Sequence, residues 1–229
     1  MNTGLRKLGL LAATAALWFV GAAVLLPQIA AANPAQIDPT SCGGTAVPNA
    51  YCSFEATGED VVIAHGSCNV QGACVSLGNG TRIGHDSCNA EGACQYAGAF
   101  NGSSSIGNGS CNDAFACIAV GYGGSSSIGN GSCNDKYACQ LLGEFGGSSS
   151  IGNQSCDGWA ACGYAGYSGG DSSIRNNSCN AETACRGAGI FNGSSSIGNR
   201  SCNAEANPGI CHDVGANGGS SVIGNNKWN

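Results

Sequence analysis

The sequence is built on a cysteine ladder: C-x5-C occurs six times in succession, about one rung every 22 residues. The rungs are Cys68 with Cys74, Cys88 with Cys94, Cys111 with Cys117, Cys133 with Cys139, Cys156 with Cys162 and Cys179 with Cys185. Cys42 and Cys52 precede the series, Cys202 and Cys211 follow it, and together they complete the set of 16 cysteines. A fixed period of about 20–50 residues implies stacked identical units rather than one globular core.

Aligning the rungs reveals columns. Ile63, Ile83, Ile106, Ile128, Ile151, Ile174 and Ile197 each stand five residues before a first cysteine. Ala73, Ala93, Ala116, Ala138, Ala161 and Ala184 precede the second cysteine, and Gly78, Gly98, Gly121, Gly143, Gly166 and Gly189 follow it by four. A typical unit, SSSIGNGSCNDAFACIAVGYGG, divides into three pieces with Gly and Asn at the joints. Short extended segments with such punctuation predict strands, and nothing is periodic enough for a helix. One unit cannot bury its inward face alone, but stacked units can.

The fold class expected is therefore all-β, a parallel β-solenoid. It has about eight coils of 22–23 residues and one disulfide per coil. With neighbouring strands about 4.8 Å apart, the rod is roughly 35–40 Å long. Residues 33–60 are expected to form an N-terminal cap, 61–222 the solenoid, and 223–229 a C-terminal cap in which Trp228 replaces the next cysteine. Recurrence favours bridges within each rung, although bonds between stacked coils would also fit disulfide geometry.

A cysteine bridge in each coil of a short Ser/Thr-rich solenoid resembles the insect β-helical antifreeze proteins. The stretch IAVGYGGSSSIGNGS, Ile118 to Ser132, is similar to the head repeats of trimeric autotransporter adhesins. Both resemblances imply a solenoid.

Arg6 and Lys7 precede an apolar run, Leu8 to Leu26, and Ala30–Ala32 offer small residues for a signal peptidase. This layout predicts a signal peptide over 1–32, and membrane association only if it is retained. In a secreted or cell-surface chain, 16 cysteines read as eight disulfides rather than as metal ligands. The x5 spacing lacks the C-x2-C or C-x4-C pairs of a zinc site, so no metal or cofactor is expected. The stacked His65 and His85 are short of a third ligand. Cleavage would leave six basic against fourteen acidic residues. Without a basic stripe for phosphates, no nucleic-acid partner is expected.

A solenoid turns each column into a row of side chains, which suits repetitive targets. Three rows are candidates. The first is serine, represented by Ser104, Ser126, Ser149 and Ser195, as a hydroxyl face or as small residues that tolerate tight packing. The second is aromatic: Phe100, Tyr122, Phe145, Tyr167 and Phe191. If exposed it is a stacking strip for sugar rings or a partner, and if inward it fills a corner. The third is Asn108, Asn130, Asn153, Asn176, Asn199 and Asn225, which suits turn ladders and places five N-x-S sequons. Asp113 and Asp135 share a column in adjacent coils, as paired carboxylates do in pectinolytic β-helix enzymes. The accompanying basic cluster and long catalytic loops are missing. The reading is thus a secreted non-enzymatic solenoid with a structural or surface-binding role (adhesion, glycan or ice, or another solenoid). The alternative is a polysaccharide-active β-helix enzyme.

Overall fold

A computed structural model describes residues 33–43, 51–54, 59–207 and 209–228. The expected signal segment, 1–32, lies outside the described residues. The chain winds as a parallel β-solenoid, each coil laying one short strand beside that of the coil before. In chain order the strands are β1 (Gln36–Ile37), β2 (Cys52–Phe54), β3 (Val62–Ile63), β4 (Cys74–Leu77), β5 (Arg82–Ile83), β6 (Ser103–Ile106), β7 (Ser125–Ile128), β8 (Ser148–Ile151), β9 (Asp171–Ile174), β10 (Ser194–Ile197) and β11 (Ser220–Ile223). Nine of them form one parallel sheet in the order β1-β3-β5-β6-β7-β8-β9-β10-β11, while β2 and β4 pair separately. The isoleucine column is the register mark: Ile37, Ile63, Ile83 and every later member face one another across neighbouring strands.

Only one of the three pieces of each coil is regularly a strand. From the first cysteine to the glycine column the backbone turns continuously instead. Every first cysteine, Cys42 to Cys202, has φ between 57° and 61°. After the second cysteine, left-handed residues recur at alternate positions, as in Tyr96, Gly98 and Phe100, or Leu141, Gly143 and Phe145. Such backbone costs a non-glycine residue about 1–2 kcal/mol. It persists here because its amides are paired: Tyr96 N–H donates to Val75 O of the preceding coil, Gly98 N–H to Val120 O of the next, and Ala97 N–H to Cys94 O within its own. The expectation of three strands per coil fails because alternation of small and apolar residues serves this turning backbone as well as it serves a pleat.

All eight disulfides close within a coil. Cys42 is bonded to Cys52, Cys68 to Cys74, Cys88 to Cys94 and Cys111 to Cys117. Cys133 is bonded to Cys139, Cys156 to Cys162, Cys179 to Cys185 and Cys202 to Cys211. Their Cα–Cα separations are 5.5–5.9 Å, and no cysteine is free. Every one of these cysteines is buried, and Cys117, Cys162 and Cys211 have no solvent exposure at all. The cysteine column is therefore scaffold, with no thiol or accessible sulfur to offer a ligand. This even, fully paired set is what an oxidising, extracytoplasmic compartment produces. The disulfides, the Ile column from Ile63 onward, the Ala column, and Leu77, Val120 and Leu142 form one continuous buried stack.

Buried hydroxyls stitch that stack together. Ser132 Oγ donates to Gly152 O of the next coil at 2.8 Å and accepts the Ser155 N–H at 3.2 Å. The same pair of bonds repeats at Ser87, Ser110, Ser155 and Ser178. Coil contact is too close for side chains at one further column. A Cβ added to Gly147 would lie 1.8 Å from Gly166 O, and Gly102, Gly124, Gly170 and Gly193 meet the next coil at 1.7–1.9 Å.

Both ends are coils of the same kind. Ile37 stands five residues before Cys42, Ser41 Oγ donates to Ala64 O, and Cys42 N–H donates to Ser67 O. The segment expected to be a separate N-terminal cap thus opens with the first coil, and the Ile-x4-Cys spacing was the signal for it. At the other end, Lys227 N–H donates to Ser201 Oγ, and Trp228 takes a cysteine's position with φ 55°. Trp228 continues the backbone stack. Its side chain is 51% exposed.

Candidate functional site

The sheet presents serine on both faces, and strand alternation decides which hydroxyls are available. Ile106 points inward, so Ser104, two residues before it, does as well. Ser104, Ser126, Ser149 and Ser195 are all buried. Ser104 Oγ donates to Val120 O, Ser126 Oγ to Leu142 O at 3.0 Å, and Ser149 Oγ to Ala165 O at 2.9 Å, across the interior. Ser172 and Ser195 hydroxyls meet at 3.1 Å. These four candidate residues are interior struts and do not form a binding row. The outward files are their neighbours, Ser103 with Ser105, Ser125 with Ser127, Ser148 with Ser150, Asp171 with Ser173, and Ser194 with Ser196. They line a shallow groove of about 640 Å³. Within one file Ser103 Oγ donates to Ser125 Oγ at 3.2 Å, and Ser148 Oγ donates to Asp171.

The aromatic row lies on the outside, where it stacks on itself. Its members alternate between two adjacent columns: Phe100, Phe145 and Phe191 follow the glycine by two residues, while Tyr122 and Tyr167 follow it by one. The offset lets successive rings meet edge to face. Tyr122–Phe145, Phe145–Tyr167 and Tyr167–Phe191 have centroids 6.0, 5.6 and 6.1 Å apart at 85°, 78° and 86°. Phe100 and Tyr122 pack more closely, at 4.5 Å. This edge-on packing favours the ring quadrupoles and leaves the phenylalanines 60%, 56% and 48% exposed. With one coil per about 4.8 Å, the three phenylalanines stand roughly 10 Å apart along a strip of about 19 Å.

Glu144 takes the column between Tyr122 and Tyr167, and it is buried. Burial pushes its carboxyl up to about 6. Sequence reading missed it because the alternation of columns, visible only once glycine is used as the origin, was not resolved.

The remaining candidates make local contacts within the coil stack. Each asparagine of the outer row accepts a backbone N–H from the coil before: Asn108 that of His85, Asn130 that of Asn108, and so on to Asn225. The sequon serines Ser110, Ser132, Ser155, Ser178 and Ser201 are completely buried. Asp113 and Asp135 each accept the N–H of the following residue, Ala114 and Lys136, at 2.6 Å. His65 and His85 rings lie 6.5 Å apart, and His65 Nδ1 is engaged by Thr40 Oγ1 at 2.8 Å. Among the described residues, the only clusters of three metal-ligating side chains are disulfide cysteines. No described helix is long and apolar enough to cross a membrane.

These features define a disulfide-stapled parallel β-solenoid bearing an exposed aromatic strip and an outer serine face. No protein-family model matches the chain, and comparison with the curated proteins and with the solved structures gives no match.

Proposed function

We propose that the protein is a non-enzymatic, secreted carbohydrate-binding solenoid, and that its aromatic strip holds an extended neutral β-1,4-linked glycan. The carrying observation is the zigzag itself: half-exposed phenylalanines at every second coil, with tyrosines between. An extended β-1,4-linked chain turns the same sugar face to one side at every second residue. Rings repeating at roughly 10 Å give those apolar faces a matching row. Tyrosine hydroxyls at the edge supply hydrogen-bond partners. Glu144, buried within the strip, supports a neutral rather than an acidic polymer, because a polyanion would meet a carboxylate at its centre.

The test is retention on insoluble cellulose and chitin, together with retardation in gels containing soluble glucomannan. Phe145→Ala is expected to reduce retention, and the triple change Phe100→Ala, Phe145→Ala, Phe191→Ala to abolish it. Equal retention of wild type and triple variant, or no retention of the wild type on any of these, overturns the reading.

The outer serine face supports a second reading, ice binding. Its observation is the pair of in-register hydroxyl files that alternate with the buried Ser104 file. Failure to shape ice crystals at high protein concentration removes it. So does shaping that survives Ser127→Tyr and Ser150→Tyr.

A further inference from the structure

We infer that a cleft at the end of the aromatic strip is a subsite for the terminal sugar of the glycan, an inference that rests on the carbohydrate reading above. The cleft has a volume of about 500 Å³ and is lined by Tyr164, Tyr167, Arg186, Phe191, His212 and Asp213 among others. It is an open surface cleft rather than an enclosed cavity, so its lining and not its size points to a ligand. Phe191 belongs to both features, so the cleft is continuous with the strip.

One residue opens it. The column two places after the second cysteine reads Ser76, Tyr96, Ala119, Leu141, Tyr164, Gly187 and Asp213 in successive coils. Gly187 alone lacks a side chain, which leaves a gap between Tyr164 and Asp213. The position has φ 70°, and a Cβ there would lie 2.2 Å from Asp213 Oδ1. The Asp213 carboxylate therefore leans over Gly187 at the edge of that gap, where a side chain would have excluded it.

Two polar groups are held in place around that gap. Asp213 N–H donates to Arg186 O at 2.9 Å, fixing the two residues beside each other in adjacent coils. Asp213 Oδ2 is paired with His212 Nδ1 at 2.9 Å, which leaves Oδ1 over Gly187. The Arg186 guanidinium carbon sits 5.3 Å from the centre of the Tyr164 ring, stacked on it rather than paired with Asp213. A cation–π contact of this kind keeps the planar donor fork oriented. The chemistry that results is an acceptor and a donor fork beside aromatic rings. Neighbouring hydroxyls of a pyranose can donate to Asp213 and accept from Arg186 while the apolar ring face rests on Tyr167 or Phe191. The strip would then supply contact along the chain, and the cleft would grip its end.

The experiment is titration calorimetry with cellotriose and with chitotriose, run beside the polymer-retention assay. Asp213→Ala and Arg186→Ala are expected to weaken trisaccharide binding about tenfold, the cost of one or two charged hydrogen bonds. Asp213→Asn is expected to recover part of the loss, and retention on polymer should fall less than about twofold. Phe145→Ala should do the reverse. Trisaccharide affinity unchanged in both Asp213→Ala and Arg186→Ala overturns the subsite, even with strip-dependent polymer retention intact. Trisaccharide binding that depends on Asp213 without any polymer retention supports the cleft and removes the strip reading. No binding of either trisaccharide by the wild type also overturns the subsite. Circular dichroism of each variant separates loss of binding from loss of fold.

Discussion

Asp157 Oδ1 accepts the backbone N–H of Asn134 at 3.1 Å, in a row that opens on Gly43 and whose six other side chains are asparagines. Asn69, Asn89, Asn112, Asn134, Asn180 and Asn203 occupy the same place after the first cysteine. The asparagines do two things. Each Oδ1 accepts an N–H from the coil before, and the Nδ2 of Asn89, Asn112, Asn134, Asn180 and Asn203 donates to the carbonyl of Gly66, Asp86, Gly109, Gln154 and Asn177 respectively. An ionised Asp157 makes only the first bond, and the carbonyl in register with the second is that of Gly131. Burial raises the Asp157 pKa; the Asn134 N–H opposes this, and the charge of Asp135 adds to it.

Asp157→Asn is therefore expected to stabilise the protein at pH 7, by about 1 kcal/mol for the restored hydrogen bond. The sign with pH follows from the raised folded value. The protonated carboxyl is favoured by the fold, so its contribution is complete below the unfolded pKa and is lost as pH rises through the folded one. The gap between variant and wild type should close on acidification. Thermal melts at pH 7 and pH 3.5 check this, and a variant less stable than wild type at pH 7 would refute the ladder argument.

Glu144 titrates in the same direction. Its folded pKa of about 6 exceeds the ordinary 4.5, so stability is present below 4.5 and is lost as pH climbs through about 6. Glu144→Gln should melt about as wild type at pH 4 and higher at pH 7, by about 1–2 kcal/mol. A pH series of chemical denaturation curves reads this directly. Identical curves for the two proteins at pH 7 would mean that the carboxyl is solvated.

Gly147→Ala tests the coil contact. Its Cβ would overlap Gly166 O at 1.8 Å, and both partners are backbone, so relief requires the coils to part. A loss of several kcal/mol is expected, as for overpacking in a rigid interior. The exposed Ser150→Ala, one turn of the pleat away, should shift stability by less than about 0.5 kcal/mol. Comparable melting of the two variants would show that the coils are not in contact at this column.

The disulfides constrain short loops, with most cysteine pairs only six residues apart in sequence. Chain entropy gives about 2 kcal/mol for each such loop. Replacing Cys133 and Cys139 together by alanine should cost roughly that amount, plus the cavity left in a fully buried position. Complete reduction should abolish the cooperative melt. Retention of that melt after every thiol is titratable would assign the stability to the hydroxyl and asparagine ladders instead.

The ladder that runs from Cys68 and Cys74 to Cys179 and Cys185, with its Ile, Ala and Gly columns, was enough to establish a parallel solenoid and its period, and it favoured bridges within each coil without deciding against bridges between coils. The reason is physical: identical coils can bury identical positions only by stacking in register, so every inner contact is written into the sequence as a repeat. Facing was decided by tertiary structure. Ser103 and Ser104 are the same residue type side by side, and only the inward Ile106 and the Val120 carbonyl make one a surface hydroxyl and the other a strut. The turning walls were largely hidden as well: the glycine column marks one left-handed position per coil, but the left-handed backbone of Cys111, Phe145 or Leu141 is held by bonds to neighbouring coils and leaves no mark on residue choice there. The alternation of Phe145 with Tyr122 and Tyr167 was in the sequence, but that backbone decides where each column points, and so which rings reach solvent.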